Sequence, residues 1–178
     1  MTAIQAFPLP LLGFAAASGT GKTTLLEKLI PLLVQQGIRV ALIKHSHHDI
    51  ELDILGKDSY RLRKAGASQV VLAGIHRSIC FYEHNKNDDV ELMKQLALLD
   101  TNTVDLVLVE GFRDQAFPKI ELHRRELHQP YLYPNDPHII ALVSDHLSSP
   151  SDLPTFTFEA LEALVDFIKQ QCQLIQSI

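Results

Sequence analysis

Gly19-Thr20-Gly21-Lys22-Thr23-Thr24 sets two glycines, a lysine and three hydroxyls side by side. Gly19 and Gly21 permit backbone angles and close approaches that a Cβ would block. If a strand precedes them and a helix follows, several backbone N–H groups aim at one point. That point is also the positive end of the helix dipole. Lys22 then reaches the β and γ phosphates of a nucleotide, and the Thr23 hydroxyl can ligate Mg²⁺. Ala16 stands where this pattern usually has its first glycine. At the end of a strand its methyl group need not face the anion. An ordinary strand-to-helix turn does not account for Lys22 and Thr23 together, so the stretch is read as a nucleotide loop.

The run Leu106 to Gly111, LVLVEG, is its natural partner. Four apolar residues followed by an acid form a strand whose carboxyl end faces Mg²⁺ or its water. Here the acid is Glu110, whose length suits a water-mediated contact or the orientation of an attacking water. Asp105 starts the same strand and belongs at its opposite edge. Asn85-Lys86-Asn87-Asp88 matches a guanine-selecting NKxD signature, but it precedes the acidic strand instead of following it. A loop and helix cap is the better reading there. Asp145, just past the apolar run Ile139 to Val143, is better placed to read a base, because ligands bind at the carboxyl ends of such strands. Its alternative is a cap or a turn.

Lys44-His45-Ser46-His47-His48-Asp49 is the most unusual stretch. His45, His47, His48 and Asp49 could hold a transition metal, although adjacent His47 and His48 diverge from an extended chain. An anion or ligand patch is the second reading, with Lys44 and the histidines donating. Asp49 or Asp53 would then meet Mg²⁺ through water. A plain polar loop is the third. Beyond it, Asp58 or Ser59 is placed to cap a short helix. Lys57 opposes that helix's dipole, and Arg61, Arg63 and Lys64 add local positive charge.

The elements that must carry these groups follow from periodicity. Leu11 to Ala17 reads as a buried strand and Lys22 to Gln36 as a helix stopped by Gly37, with Pro31 inside it. Arg39 to Ile43 is a second strand, and Asp58 to Ala65 a short helix. Gln69 to Ala73 and Ser78 to Tyr82 read as a hairpin around Gly74. Asp88 to Leu99 is an amphipathic helix, and Leu106 to Val109 a central strand. Lys119 to His123 reads as an edge strand, Ile139 to Val143 as a buried one, and Phe158 to Ile175 as a closing helix. The expected fold is a single α/β domain over 1–178: a three-layer P-loop NTPase fold, mostly parallel, with helices on both faces and a short antiparallel edge hairpin.

Composition narrows the class. At 178 residues and 46% hydrophobic, the chain can build a core without metal or disulfides. A net charge of -5 argues against a general nucleic-acid binder. Two cysteines, Cys80 and Cys172, lie far apart, which suits a reduced, cytoplasmic protein. The apolar start lacks a preceding basic residue and is interrupted by Pro8 and Pro10, so it is not read as a secretion signal. No apolar run approaches the ~20 residues of a membrane span.

The chain resembles the molybdopterin-guanine dinucleotide biosynthesis adapter protein B family. The resemblance rests on FAAASGTGKTTLL, the IKHSHHD loop, Asp53 to Ser59 (D-x-x-GKDS), RKAGA at Arg63 to Ala67, LVEGF at Leu108 to Phe112 and the late ALVSD. It implies a small GTP-binding homodimer, related to dethiobiotin synthetase and the nickel-insertion GTPases. It also implies slow GTP hydrolysis, and assistance to the guanylyltransferase that joins a guanine nucleotide to molybdopterin. On the resemblance, phosphate contacts fall on Gly19 to Thr24 and Mg²⁺ on Thr23, with Glu110 nearby. Lys44, His45, His47 and His48 become candidates for binding molybdopterin, its guanine dinucleotide or a pyrophosphate. Arg113 is a candidate γ-phosphate or partner contact. Two other functions stay open. A small-molecule kinase or ATP-dependent ligase would need an acceptor site and an arginine-bearing lid, for which Arg124-Arg125 is a weak candidate. A metallochaperone GTPase would use His45 to His48.

Overall fold

The computed structural model describes residues 4–46, 48, 50–84, 90–146 and 152–174. These fall into two compact units, one formed by 1–45 with 92–178 and the other by 46–91.

The larger unit is built on six parallel strands: β1 (Leu11–Ala15), β2 (Val40–Lys44), β5 (Leu106–Glu110), β6 (Lys119–His123), β7 (Ile139–Ser144) and β8 (Thr155–Phe156). Their order is β2-β5-β1-β6-β7-β8. All five pairings are parallel, so every strand delivers its carboxyl end to one edge of the sheet. The side chains of β5 divide by the strand's period of two. Leu106 and Leu108 join Leu12 and Phe14 beneath α1 (Lys22–Gln35) and α4 (Leu161–Gln171). Val107 and Val109 face the other side, with Leu11, Phe117 and the Leu92 and Leu96 side chains of α3 (Leu92–Leu96). Leu106 to Val109 are all fully buried. Strands covered on both faces read as continuous apolar runs, which is why LVLV was recognisable.

β5 connects to β6 by crossing β1 in only the eight residues 111–118, with no helix. Gly13 makes that short path possible. A Cβ there would stand 2.6 Å from the Phe117 ring and 2.7 Å from Lys119 Cγ. Glycine in a strand interior marks such close approaches.

β6 is not an edge strand as its sequence suggests, because it lies between β1 and β7. Lys119 and Glu121, its two fully buried charged residues, are satisfied. Lys119 Nζ donates to the Arg113 and Gln115 carbonyls at 2.8 and 2.7 Å and pairs with Asp136 at 2.8 Å. Glu121 accepts the backbone N–H groups of Leu132 and Tyr133 at 2.8 and 2.9 Å. The edges are β2 and β8, and the sequence did not announce β8. It lies just before the last helix, which starts at Leu161, not Phe158.

The smaller unit holds α2 (Asp58–Lys64) and the antiparallel hairpin β3 (Gln69–Ala73) and β4 (Ser78–Tyr82), which pairs only within itself as a two-stranded sheet. Arg63 is buried there, with Glu83 at 2.7 Å and Glu51 also bonded to its guanidinium. Arg63 is thus held by acids of its own unit. Neither Asp58 nor Ser59 caps α2; the N-cap is Lys57, and the Ser59 hydroxyl donates to Asp53 at 2.8 Å.

Candidate functional site

The segment between β1 and α1 takes the form its residues demand. Gly19 and Gly21 sit at φ +80° and +97°, where a Cβ is strained. Gly21 is the N-cap of α1, and no side chain caps the helix. The first turn therefore keeps backbone N–H groups for an outside acceptor, at the positive end of the dipole. Ser18, Gly19, Thr23 and Thr24 are exposed at its mouth. Thr20 is buried, and its hydroxyl is spent on the Ala17 carbonyl at 2.8 Å. That bond shapes the loop, so Thr20 offers a ligand its backbone only.

Lys22 folds back toward the loop, Nζ donating to the Ala16 carbonyl at 3.3 Å. Burial lowers its pKa below the usual lysine value; Glu110 works against that shift and Lys44 adds to it. A half-buried amine in reach of a carboxylate and a second amine is set to gain from an incoming polyanion.

Glu110 ends β5 beside Lys44, which ends β2, and the register pairs these two residues. Lys44 Nζ lies 3.2 Å from Glu110 Oε2. The His45 backbone N–H donates to the Glu110 carbonyl at 2.7 Å, and the His45 ring stacks on Phe112 with centroids 4.6 Å apart. A Cβ on Gly111 would come 2.5 Å from that of His45, so the two turns leaving β2 and β5 touch. Lys22, Lys44, His45 and Glu110 are thereby gathered on the loop's β5 side. His48 belongs to the other unit, where it exchanges hydrogen bonds with Ser46 at 3.1 Å. His47, Asp49 and the stretch Asn85 to Asp88 lie outside the described residues. Among the described residues, no three His, Cys, Asp or Glu side chains converge as a metal would need.

On the loop's other side, Asp145 stands exposed one residue past β7 and accepts the Arg125 N–H at 3.1 Å. Asp105 directly precedes β5, so it lies at the far edge of the sheet, tied to Arg39 at 2.6 Å. Arg113 is exposed and lies 3.8 Å from Asp114.

Sequence reasoning gave Arg124 too little weight. Its Nε donates to the Thr20 carbonyl inside the phosphate loop at 2.9 Å, and its guanidinium lies 4.0 Å from the Phe158 ring centroid. With Ala17, Thr20, Glu121 and His123 it lines a cavity of about 100 Å³ next to the loop. The acceptor is a backbone carbonyl 104 residues away, so no local pattern could have shown it.

Known proteins agree with this architecture. Residues 11–145 match the model of the family described as molybdopterin guanine dinucleotide synthesis protein B. The molybdopterin-guanine dinucleotide biosynthesis adapter protein of Escherichia coli K12 is 45% identical over 93% of this chain and 94% of its own. The protein of the same description from Haemophilus influenzae is 46% identical over 78% of this chain and 76% of its own. The crystal structure of Bacillus subtilis MobB superposes with a TM-score of 0.72 at 23% identity, covering 92% of this chain and 98% of that one, and shows the shared fold. With the match running from β1 to Asp145, through the phosphate loop and Glu110, the chain belongs to the molybdopterin guanine dinucleotide synthesis protein B family.

Proposed function

We propose that the chain is a GTP-binding adapter in molybdopterin guanine dinucleotide synthesis. It hydrolyses GTP slowly at most and works in the cytoplasm, as a homodimer, beside the guanylyltransferase. Support for the pathway comes from the adapter relatives. Support for the nucleotide comes above all from one observation: α1 opens on Gly21 with no side-chain cap and with Lys22 behind it.

The residues present fit a magnesium nucleotide. The backbone from Gly19 to Thr24 would cradle the phosphates, and Lys22 would exchange the Ala16 carbonyl for a phosphate oxygen. The exposed Thr23 hydroxyl and Glu110 would hold Mg²⁺ directly or through water. When bound, Mg²⁺ neutralises charge on the β and γ oxygens. Glu110 orients water near the terminal phosphate, but Lys44 competes for it at 3.2 Å. A general base engaged in an ion pair suits slow turnover, because catalysis needs a group free to act on the nucleophile. Lys44 and His45, on the same side, are placed to meet a pterin or its pyrophosphate.

Titration with Mg²⁺ and GTP, GDP or ATP tests this reading on the intact chain and on Lys22→Ala. Binding of GTP that falls at least a hundredfold in Lys22→Ala, with turnover far below ordinary enzymes, is the expected result. Undiminished binding by Lys22→Ala would overturn it. Fast ATP turnover dependent on a small acceptor would replace it with a kinase.

A further inference from the structure

The phosphate loop has two flanks, and the terminal phosphate belongs to the one that carries Glu110. β5 lies on one side of β1 and β6 on the other. If the metal-bearing end of a triphosphate lies toward β5, its nucleoside leaves over β6, β7 and β8. The carboxyl ends of those strands place three residues on that edge: Arg124 directly after β6, Asp145 directly after β7, and Phe158 two residues after β8.

Arg124 is the unusual one. It is half-buried in a protein of net charge -5, yet no described carboxylate pairs with it. The other buried cations, Arg63 and Lys119, each hold at least one acid. Arg124 is fixed instead by a neutral carbonyl, that of Thr20, and by the face of Phe158. No described residue accepts from its Nη1 or Nη2. Nη2 lies 3.7 Å from where a Cβ on Gly21 would stand, so the guanidinium borders the cradle itself. A planar cation stacked on a ring, pinned by one edge and with its other donors unspent, has the form that receives a flat heterocycle.

We infer that Arg124 and Phe158 form the seat on which the nucleotide's base stacks, with Asp145 at its rim to accept from the base's N–H groups. The inference rests on the nucleotide reading above and adds to it the groups that hold the nucleoside. The bond from Arg124 to Thr20 then gives the residue a second task. It couples the seat to the loop, so base and phosphates bind as one unit.

The test separates base from phosphate. Calorimetric titration compares magnesium GTP with magnesium tripolyphosphate, which has no base. The proteins are the intact chain, Arg124→Ala, Arg124→Lys and Phe158→Leu, each checked for a cooperative melt. Stacking on a side chain predicts that Arg124→Ala weakens GTP about tenfold or more while tripolyphosphate changes less than about threefold. Arg124→Lys, which keeps the charge and loses the plane, should recover little of the GTP affinity. Phe158→Leu should weaken GTP in the same selective way, and it keeps the test open if Arg124→Ala does not fold. Equal losses for GTP and tripolyphosphate would reduce Arg124 to a strut of the loop and overturn the seat, as would unchanged GTP affinity in all three variants. Failure of the intact chain to bind either ligand would sink the nucleotide reading itself, and the seat with it.

Discussion

The strand pair β2 and β5 carries an acid–base pair at each end, and the two pairs are built differently. At the amino end, Arg39 meets Asp105 through Nε at 2.9 Å and Nη2 at 2.6 Å, and the Arg39 backbone N–H adds a third bond at 2.8 Å. Nη1 is occupied by the Asn102 carbonyl at 3.0 Å. At the carboxyl end, Lys44 meets Glu110 through one contact of 3.2 Å. A bidentate guanidinium–carboxylate pair fixes geometry, whereas an ammonium is a point charge that changes partners without strain. The same two strands are thus locked at the edge away from the phosphate loop and left exchangeable beside it. Substitutions at the two ends should separate stability from ligand chemistry.

The largest expected effect is at the exchangeable end. Glu110→Gln keeps the shape of the side chain and removes its charge. GTP hydrolysis in single-turnover assays should fall about 10- to 100-fold, at the lower side of what a general base contributes. The melting temperature should move by less than about 2 °C, since the lost ion pair is partly exposed. A large drop in melting temperature with unchanged hydrolysis would make Glu110 structural and erase the contrast.

Asp105→Asn should do the reverse. Hydrogen bonding to Arg39 holds the Asp105 carboxyl at about 2, below its ordinary 3.8. A carboxylate with a depressed folded pKa contributes stability that is present above its unfolded value and lost as pH falls through the folded one. Urea melts of the intact chain should therefore lose stability between about pH 4 and pH 2. Asp105→Asn should flatten that part of the profile and lower the melting temperature by about 2–4 °C at neutral pH. Nucleotide affinity should stay within twofold. A slope that survives the substitution would assign it to other carboxylates.

How much of this could be read beforehand depended on where each residue's partner lies. The phosphate loop, the hairpin and β5 were readable because their signals are local: two glycines flanking Thr20 before Lys22, two five-residue strands about one turn, and a run of four apolar residues. β6 was misplaced because Lys119 and Glu121 look like residues of a solvated edge. Their partners are backbone groups and an aspartate in connections whose paths the sequence does not state, so burial of the charges was invisible. The crossing of β1 at Gly13 was hidden for the same reason, since Phe117 reaches it only through the folded connection. Within the site, Lys44, His45 and Glu110 were correctly expected on the carboxyl edge. Their mutual contacts follow from the β2–β5 register, which no single strand encodes. Arg124 shows the limit most clearly: its meaning lies in Thr20 and Phe158, far from it in the chain on either side.

The smallest predicted effect bears on how Lys44 divides its influence between two neighbours. Lys44 neutralises Glu110 and also depresses the pKa of Lys22, while Glu110 raises it and burial, the largest influence, lowers it. Lys44→Met removes both actions at once. Glu110 becomes free to attract Mg²⁺, so the Mg²⁺ concentration needed for half-maximal GTP binding should fall by up to about fivefold, the range open to an exposed ion pair. The Lys22 amine should hold its proton to higher pH. A raised lysine pKa extends the charged form upward, so the loss of GTP binding at alkaline pH should begin later in Lys44→Met than in the intact chain. These two shifts point the same way only if Lys44 acts on the site through Glu110 and Lys22. If it instead grips the nucleotide directly, Lys44→Met should weaken GTP at every Mg²⁺ concentration and leave the alkaline limb in place.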